Sequence, residues 1–356
     1  MTHTVPFLDR RRLLALLTGL PAFGRGGGAV AAVAAAAPAF PDAARMLVAG
    51  PDGGNLDRWS RVMLPALAQN LPPETGMHRV TAGASDGVTG ANQFEARSEP
   101  DGETVLLVPG EAALAWLVGD PRAQYDVAHW VSVMTVVTPG VVIARPGATA
   151  QDRRTRIATA GPATADLPAI LGIELLGARV EPLPPLAEGA EAAALANGRI
   201  DAVFLRGHKV PEQAAVLVAA GGQPVFALGA LDHTGKLARC SAFPDLPTLP
   251  ELYASRFRQA LAGPPLAAWT AAAVASQIEC ALVLPQLTPA SMVALWRRAG
   301  ADAASALDVQ AMALSLGVRA VGGAEATATA GAAAADSVAV TELRHWLANR
   351  FGWRPG

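Results

Sequence analysis

The sequence predicts an α/β fold whose core is a parallel sheet, and two observations predict it. Between Arg45 and Val108, short apolar runs alternate with helical spacing in the order β-α-β-α-β, the pattern of parallel strands joined by helical crossovers. A strand–turn–helix unit at Val48–Asp57 then recurs at Thr159–Asp166. With 356 residues, 51% of them hydrophobic, the chain has material for a large core and for more than one domain.

Taken in order, the N-terminus reads as an export signal. Asp9-Arg10-Arg11-Arg12 precedes the apolar run Leu13–Leu17, and a small-residue tract ends in Ala37-Pro38-Ala39, a cleavage-site pattern. The arginine cluster before a modestly apolar, glycine-containing segment is of the twin-arginine type. Residues 1–39 are therefore expected to be removed, with cleavage near Ala39. An uncleaved anchor or tail is the other reading. Gly24-Arg25-Gly26-Gly27-Gly28 superficially copies a dinucleotide fingerprint, but no strand precedes it.

Arg45–Ala49 reads as a short buried strand. Gly53-Gly54 follows, and residues without a Cβ let backbone approach a ligand closely. Asn55 is read as the N-cap of a helix and Asp57 as a first-turn acid suited to the helix dipole. Trp59, Val62, Met63, Ala66 and Leu67 continue at helical spacing, and Pro65 should kink or shorten the helix. Such a turn at a helix N-terminus presents backbone N–H groups to an anion. Alone, it reads first as an ordinary capped βα turn.

A strand around His78–Val80 leads to a second glycine-rich loop, Ala82–Gly90, with Ser85, Asp86 and Gly87 at its centre. A short helix then runs to Arg97. Pro100-Asp101-Gly102 turns the chain into the buried strand Thr104–Val108. Further strands are expected at Trp130–Val137 and Val141–Ala144, and an exposed helix over Gln151–Arg156. Ala160-Gly161 makes the second turn, and Thr164 or Asp166 caps a helix with Leu167, Ile170, Leu171 and Leu175 on one face. Helices follow over Glu188–Leu195, Pro211–Gly221, from Ser291, and over Thr341–Phe351. Ala324–Val340 is helix or loop. Two strand–turn–helix cradles facing each other would clamp a small anion.

Composition excludes several classes. A net charge of -2 with only 16% charged residues leaves no basic footprint for nucleic acid. Cys240 and Cys280 are the only cysteines; they either pair or stay as buried thiols. The six histidines are scattered, so no metal site is expected. The sequence holds no phosphate-binding GxxxxGK[ST] loop, nucleophile elbow or paired acid and base. Neither a cofactor nor catalysis is expected.

Several motifs, in this order, carry a resemblance. Gly53-Gly54-Asn55-Leu56-Asp57, the Gly83–Gly90 loop and Pro100–Leu107 resemble the substrate receptors of tripartite tricarboxylate transporters, the Bug or TctC-like family. Downstream, Thr159-Ala160-Gly161, Asn197–Phe204, Phe243–Leu249, Leu284-Pro285 with Thr288-Pro289, and Val321-Gly322-Gly323 resemble further family segments. The resemblance spans residues 45–350. It implies a two-lobed type II periplasmic binding-protein fold, each lobe a mixed or parallel sheet flanked by helices. Two hinge crossings are implied, near Val136–Ala144 and Glu279–Leu284. Residues 40–140 plus 281–356 would form one lobe and 141–280 the other.

The resemblance also implies a function: a periplasmic, non-enzymatic receptor, monomeric, that captures a small organic carboxylate for uptake or sensing. A membrane permease of the tripartite tricarboxylate type would be its partner. The contacts implied are Gly53, Gly54, Asn55, Asp57, Ser85, Asp86 and Gly87 in the first loops, and Ala160, Gly161, Thr164 and Asp166 in the second cradle, largely through backbone amides. Arg206, with His208 and Lys209, falls where the family places cleft residues. They are either partners for a ligand carboxylate or a solvated loop. Pro162–Leu167 departs from the family's usual N-G-T-P-S-H, and Asp86 or Asp166 would repel an anion. An amino acid or related metabolite therefore stands beside a plain carboxylate. The alternatives are an exported α/β enzyme acting on a small anion, or a degenerate receptor without a ligand.

Overall fold

The computed structural model describes residues 40–355, so the expected export signal lies outside the described residues. The first strands form where the apolar runs predict. β1 (Ala43–Val48) pairs in parallel with β2 (Gly76–Thr81) and with β3 (Thr104–Val108). The crossovers are α1 (Asn55–Ala68) and α2 (Val88–Arg97). Next come α3 (Gly110–Val118) and β4 (Val131–Val137), after which the chain leaves this sheet at Thr138-Pro139. A second sheet follows, made by β5 (Gly140–Ala144), β6 (Arg154–Ala158), β7 (Arg179–Leu183), β8 (Ala202–Arg206) and β9 (Gln223–Ala227). Its order is β7-β6-β8-β5-β9. Between its strands run α4 (Leu167–Leu175), α5 (Glu191–Ala196) and α6 (Val210–Ala219).

A short hairpin, β10 (Ala230–Leu231) and β11 (Leu237–Ala238), and α7 (Leu249–Phe257) lead to α8 (Pro264–Gln277). This helix runs directly into β12 (Ile278–Leu284), which returns to the first sheet between β3 and β4. The chain ends with α9 (Ala290–Ser305), α10 (Leu307–Leu316), β13 (Arg319–Gly322), α11 (Gly323–Ala333) and α12 (Ser337–Phe351). The first sheet is thus six-stranded, in the order β13-β4-β12-β3-β1-β2. Both sheets are mixed: β12 is antiparallel to β3 and β4, and β5 to β8 and β9. Two mixed sheets flanked by helices are the expected architecture.

One local expectation is corrected. Gln151–Arg156 is not an exposed helix, since Arg154–Ala158 is the strand β6. Thr155 and Ile157 are fully buried between outward-facing Arg154 and Arg156, a period of two that the polar side chains conceal. Pro65 lies inside α1, which ends soon after it at Ala68. The alanine-rich stretch from Leu266 belongs to α8, a central helix that touches α3, α4, α11 and α12. A helix apolar on every side belongs inside, and its alanines permit close approach. Gly110, at the start of α3, lies so near α8 that a Cβ there would sit 2.0 Å from the Ala275 carbonyl oxygen. Cys240 and Cys280 are both free and buried, and burial pushes both thiols up in pKa.

One ion pair ties β6 to β8. The carboxylate of Asp201 accepts from the Arg156 backbone N–H at 3.0 Å, from Nε at 2.8 Å and from Nη2 at 2.9 Å. Burial raises the Asp201 pKa, but the Arg156 hydrogen bonds outweigh it and hold the carboxyl below its usual range. A carboxyl with a lowered folded pKa contributes stability above its unfolded value of about 3.9, and loses it as pH falls through the folded value. Asp201→Asn is therefore expected to cost about 1–3 kcal/mol at pH 7. Thermal unfolding at a series of pH values should show the gap to the unmodified chain closing below about pH 4.

Candidate functional site

The candidate site grows from the turn after β1. Gly53 adopts φ +74°, a conformation open to glycine, and its N–H donates to Asp57 Oδ2 at 2.9 Å. Asp57 is fully buried. Arg61 Nη2 also donates to it at 2.9 Å, and Arg79 from β2 closes the pair on its other oxygen. Asp57 therefore fixes the shape of the turn and does not line the cavity described next. Asn55 is not the N-cap. Gly54 takes that place, and Asn55 opens α1. Its side chain is thereby free to reach across to β12, where Nδ2 donates to Glu279 Oε1 at 2.5 Å. The backbone amides of Asn55, Leu56 and Asp57 are first-turn donors with no acceptor inside the helix.

The second loop packs on the entry to α3. Gly87 adopts φ +75°, and a Cβ there would meet Pro109 Cδ at 2.4 Å. Asp86 accepts from the Val88 N–H at 3.3 Å and from Arg122 Nη1 at 2.9 Å. Arg122 also holds Asp120 at 2.7 Å, and that hydrogen bond keeps the Asp120 carboxyl below its usual range.

These loops, the start of α3, the start of β12 and the end of β8 enclose a cavity of about 310 Å³, whose lining includes Asn55, Ser85, Asp86, Glu111, Arg206 and Glu279. Its walls come from both sheets. Two contacts bridge them: Arg206 Nη2 donates to Glu111 Oε1 at 2.7 Å, and His208 Nε2 meets Glu279 Oε1 at 2.8 Å. Arg206 is thus a cavity residue, already engaged by an acid. Lys209 lies apart and is exposed; its backbone N–H bonds the Leu316 carbonyl at the end of α10.

The second cradle carries its own acid. Asp166 Oδ2 accepts from Thr159 Oγ1 at 2.6 Å and from the Ala160 N–H at 3.1 Å. The Gly161 N–H donates to Thr159 Oγ1 at 3.0 Å, and Thr164 Oγ1 donates to the Gly161 carbonyl at 2.7 Å. An internal carboxylate sits where the cradle was expected to receive a ligand. Asp166 stands at the N-cap position of α4, but its side chain caps nothing there. Ala160, Gly161, Thr164 and Asp166 are not among the residues lining the 310 Å³ cavity. Of the expected contacts, Asn55, Ser85, Asp86 and Arg206 come together; Gly53, Gly54 and Gly87 shape the loops that bear them.

Sequence reasoning missed Glu111 and Glu279. Each left a faint signal: Glu279 is the lone acid in the apolar run Ile278–Leu284, and Glu111 is a first-turn acid just after Pro109-Gly110.

No family model matches the chain, and no curated protein matches it. Solved structures do. A ligand-free TctC solute-binding protein from Polaromonas superposes with a TM-score of 0.64 at 17% identity, over 86% of this chain and 98% of that one. The chain shares that protein's fold. An R. palustris protein solved with adipate superposes with a TM-score of 0.51 at 15% identity, over 86% of this chain and 99% of the other. The fold implied by the order of the sequence motifs is therefore the fold observed.

Proposed function

We propose that the chain is a solute-binding protein that captures a small organic carboxylate, an amino acid or a related metabolite in the 310 Å³ cavity, for uptake or sensing. The observation that carries this reading is the cavity itself: its walls come from two sheets joined by two chain crossings, and it is bridged by Arg206–Glu111. Each sheet with its helices acts as one lobe, residues 40–140 plus 281–356 and residues 141–280, and the crossings act as hinges. Similarity to a TctC protein and to a protein solved with adipate supports a carboxylate-bearing ligand. The arginine-led N-terminal signal supports export to the periplasm with cleavage near Ala39. The chain works there as a monomer that hands its solute to a membrane permease of the tripartite tricarboxylate type. Among the described residues, no helix is long and apolar enough to cross a membrane.

A thermal-shift panel of carboxylates, amino acids and nucleotides tests this. A solute that binds the folded state raises the melting temperature, by about 2.7 kcal/mol of added stability at a hundredfold excess over Kd. Ser85 is exposed on the cavity wall, so Ser85→Trp should leave the ligand-free melting temperature in place and abolish the shift. Stabilisation by nucleotides alone would favour the enzyme alternative, and no response to any solute would overturn the binding role.

A further inference from the structure

A second cavity, of about 90 Å³, lies where the chain crosses between the two sheets. Thr138-Pro139 of the first crossing and Gln277 of the second form part of its wall; the base of the β10–β11 hairpin, with Cys240, forms another part. It shares no lining residue with the 310 Å³ cavity. The crossings are tied to each other here, since the Thr138 N–H donates to the Gln277 carbonyl at 2.8 Å.

One group in this wall is unsatisfied. Thr138 is 3% exposed, and its Oγ1 is buried without a hydrogen-bond partner among the described residues. A buried hydroxyl without a partner calls for one. The other buried polar side chains of the lining are spent. Gln277 Nε2 donates to the Gly229 carbonyl at 2.8 Å, and Thr329 Oγ1 donates to the Glu325 carbonyl at 2.9 Å. Arg319 and Glu325, the charged residues of the lining, are bonded to each other. An ion entering here would lose its hydration and meet no free counter-charge.

We propose that this hinge cavity is a second ligand site, which takes a small uncharged molecule whose carbonyl or hydroxyl group pairs with the Thr138 hydroxyl. An engineered cavity of about 150 Å³ holds benzene, so a cavity of about 90 Å³ admits about four heavy atoms, the size of a short amide or alcohol. The apolar body of such a molecule rests on Val137, Leu231 and Val274. Its occupant touches both crossings at once, where a change of angle between the sheets would be felt. The site is built from residues that play no part in the solute-binding reading above, and it stands or falls independently of it.

Cys240 reports on the cavity. Its thiol belongs to the wall, whereas Cys280 is fully buried in the core beside the first sheet. The probes are acetamide, an uncharged amide of the right size, and acetate, its charged counterpart. The readout is the rate at which iodoacetamide alkylates Cys240 in the native full chain at fixed pH, followed by mass spectrometry of the Cys240 peptide. Acetamide should slow this alkylation about fivefold or more once the cavity is filled, and acetate at the same concentration by less than about twofold, because a charge is costly to bury unpaired. Thr138→Val keeps the shape of the side chain and removes the hydroxyl. It should raise the half-protecting concentration of acetamide about three- to tenfold, the worth of one hydrogen bond, and leave the rate without acetamide within about twofold. Equal protection by acetamide and acetate, or protection by neither, would overturn the inference and leave a cavity that holds water only. So would a Cys240 closed to iodoacetamide, or acetamide protection unchanged in Thr138→Val. The comparison of acetamide with acetate decides on the unmodified chain even where Thr138→Val fails to fold.

Discussion

Asp57→Ala should destabilise the chain by about 3 kcal/mol, because removing one partner of a buried ion pair costs about 3–5 kcal/mol. The carboxylate is fully buried and serves three donors: Gly53 N–H, Arg61 and Arg79. Arg61 is 55% exposed and recovers water when the carboxylate is lost, so its share is small. Arg79 is only 25% exposed and is left with a partly buried charge that has lost this partner. That places the cost at the lower end of the range. Denaturant unfolding measures it, and a loss below about 1 kcal/mol would mean the pair behaves as a surface bridge. Arg79→Leu in the same chain should restore part of the stability, since the stranded charge is gone. It should not restore solute binding, because the Gly53 N–H would still lack the acceptor that shapes the turn.

Trp269→Ala should cost about 3–5 kcal/mol, the range for emptying a large aromatic site in a core. Trp269 is fully buried in α8. Its indole N–H donates to the Pro168 carbonyl at 3.0 Å, and its ring meets Phe226 edge-on with centroids 6.4 Å apart. Gly172 makes the room: a Cβ there would lie 2.7 Å from Phe226 Cζ and 3.2 Å from Trp269 Nε1. One side chain thus joins α8, α4 and β9. Trp269→Phe should cost less, roughly 1–3 kcal/mol, chiefly from the Pro168 carbonyl left without its donor. The fall in denaturation midpoint at constant m-value checks both substitutions.

Much of the fold was legible in local pattern. The run Thr104–Val108 is β3 in full, and Leu167 to Leu175 is α4, because apolar period and length alone distinguish a buried strand from a helix. The two glycine loops were found for the same reason: positive φ at Gly53 and Gly87 is a property of the residue. Arg154–Ala158 was misread because arginines occupied the outward positions of a strand whose inward ones are Thr155 and Ile157. α8 left no periodic signal because an alanine-rich stretch shows no face, and only its neighbours reveal that its faces are covered.

The candidate site was legible as loops and not as contacts. Through its resemblance to a receptor family, the sequence named Asn55, Asp57, Asp166 and Arg206 as groups able to meet a ligand. It could not say what each already meets. Asp57 is consumed by Arg79, Asp166 by its own cradle, and Arg206 by Glu111.

By itself, then, the sequence determined the α/β class, the order of strands and helices, and the two turns from which a cradle can be built, since these depend on neighbours within a few residues. Only the tertiary structure decided which charges are spent and which remain. Arg206 and Glu111 are 95 residues apart in the chain, and Asn55 and Glu279 are 224 apart. A hydrogen bond depends on distances of about 3 Å, which no spacing in sequence records. The turn at Val48–Asp57 was visible from the start; that Asn55 within it meets Glu279 depended on the return of β12 to the first sheet.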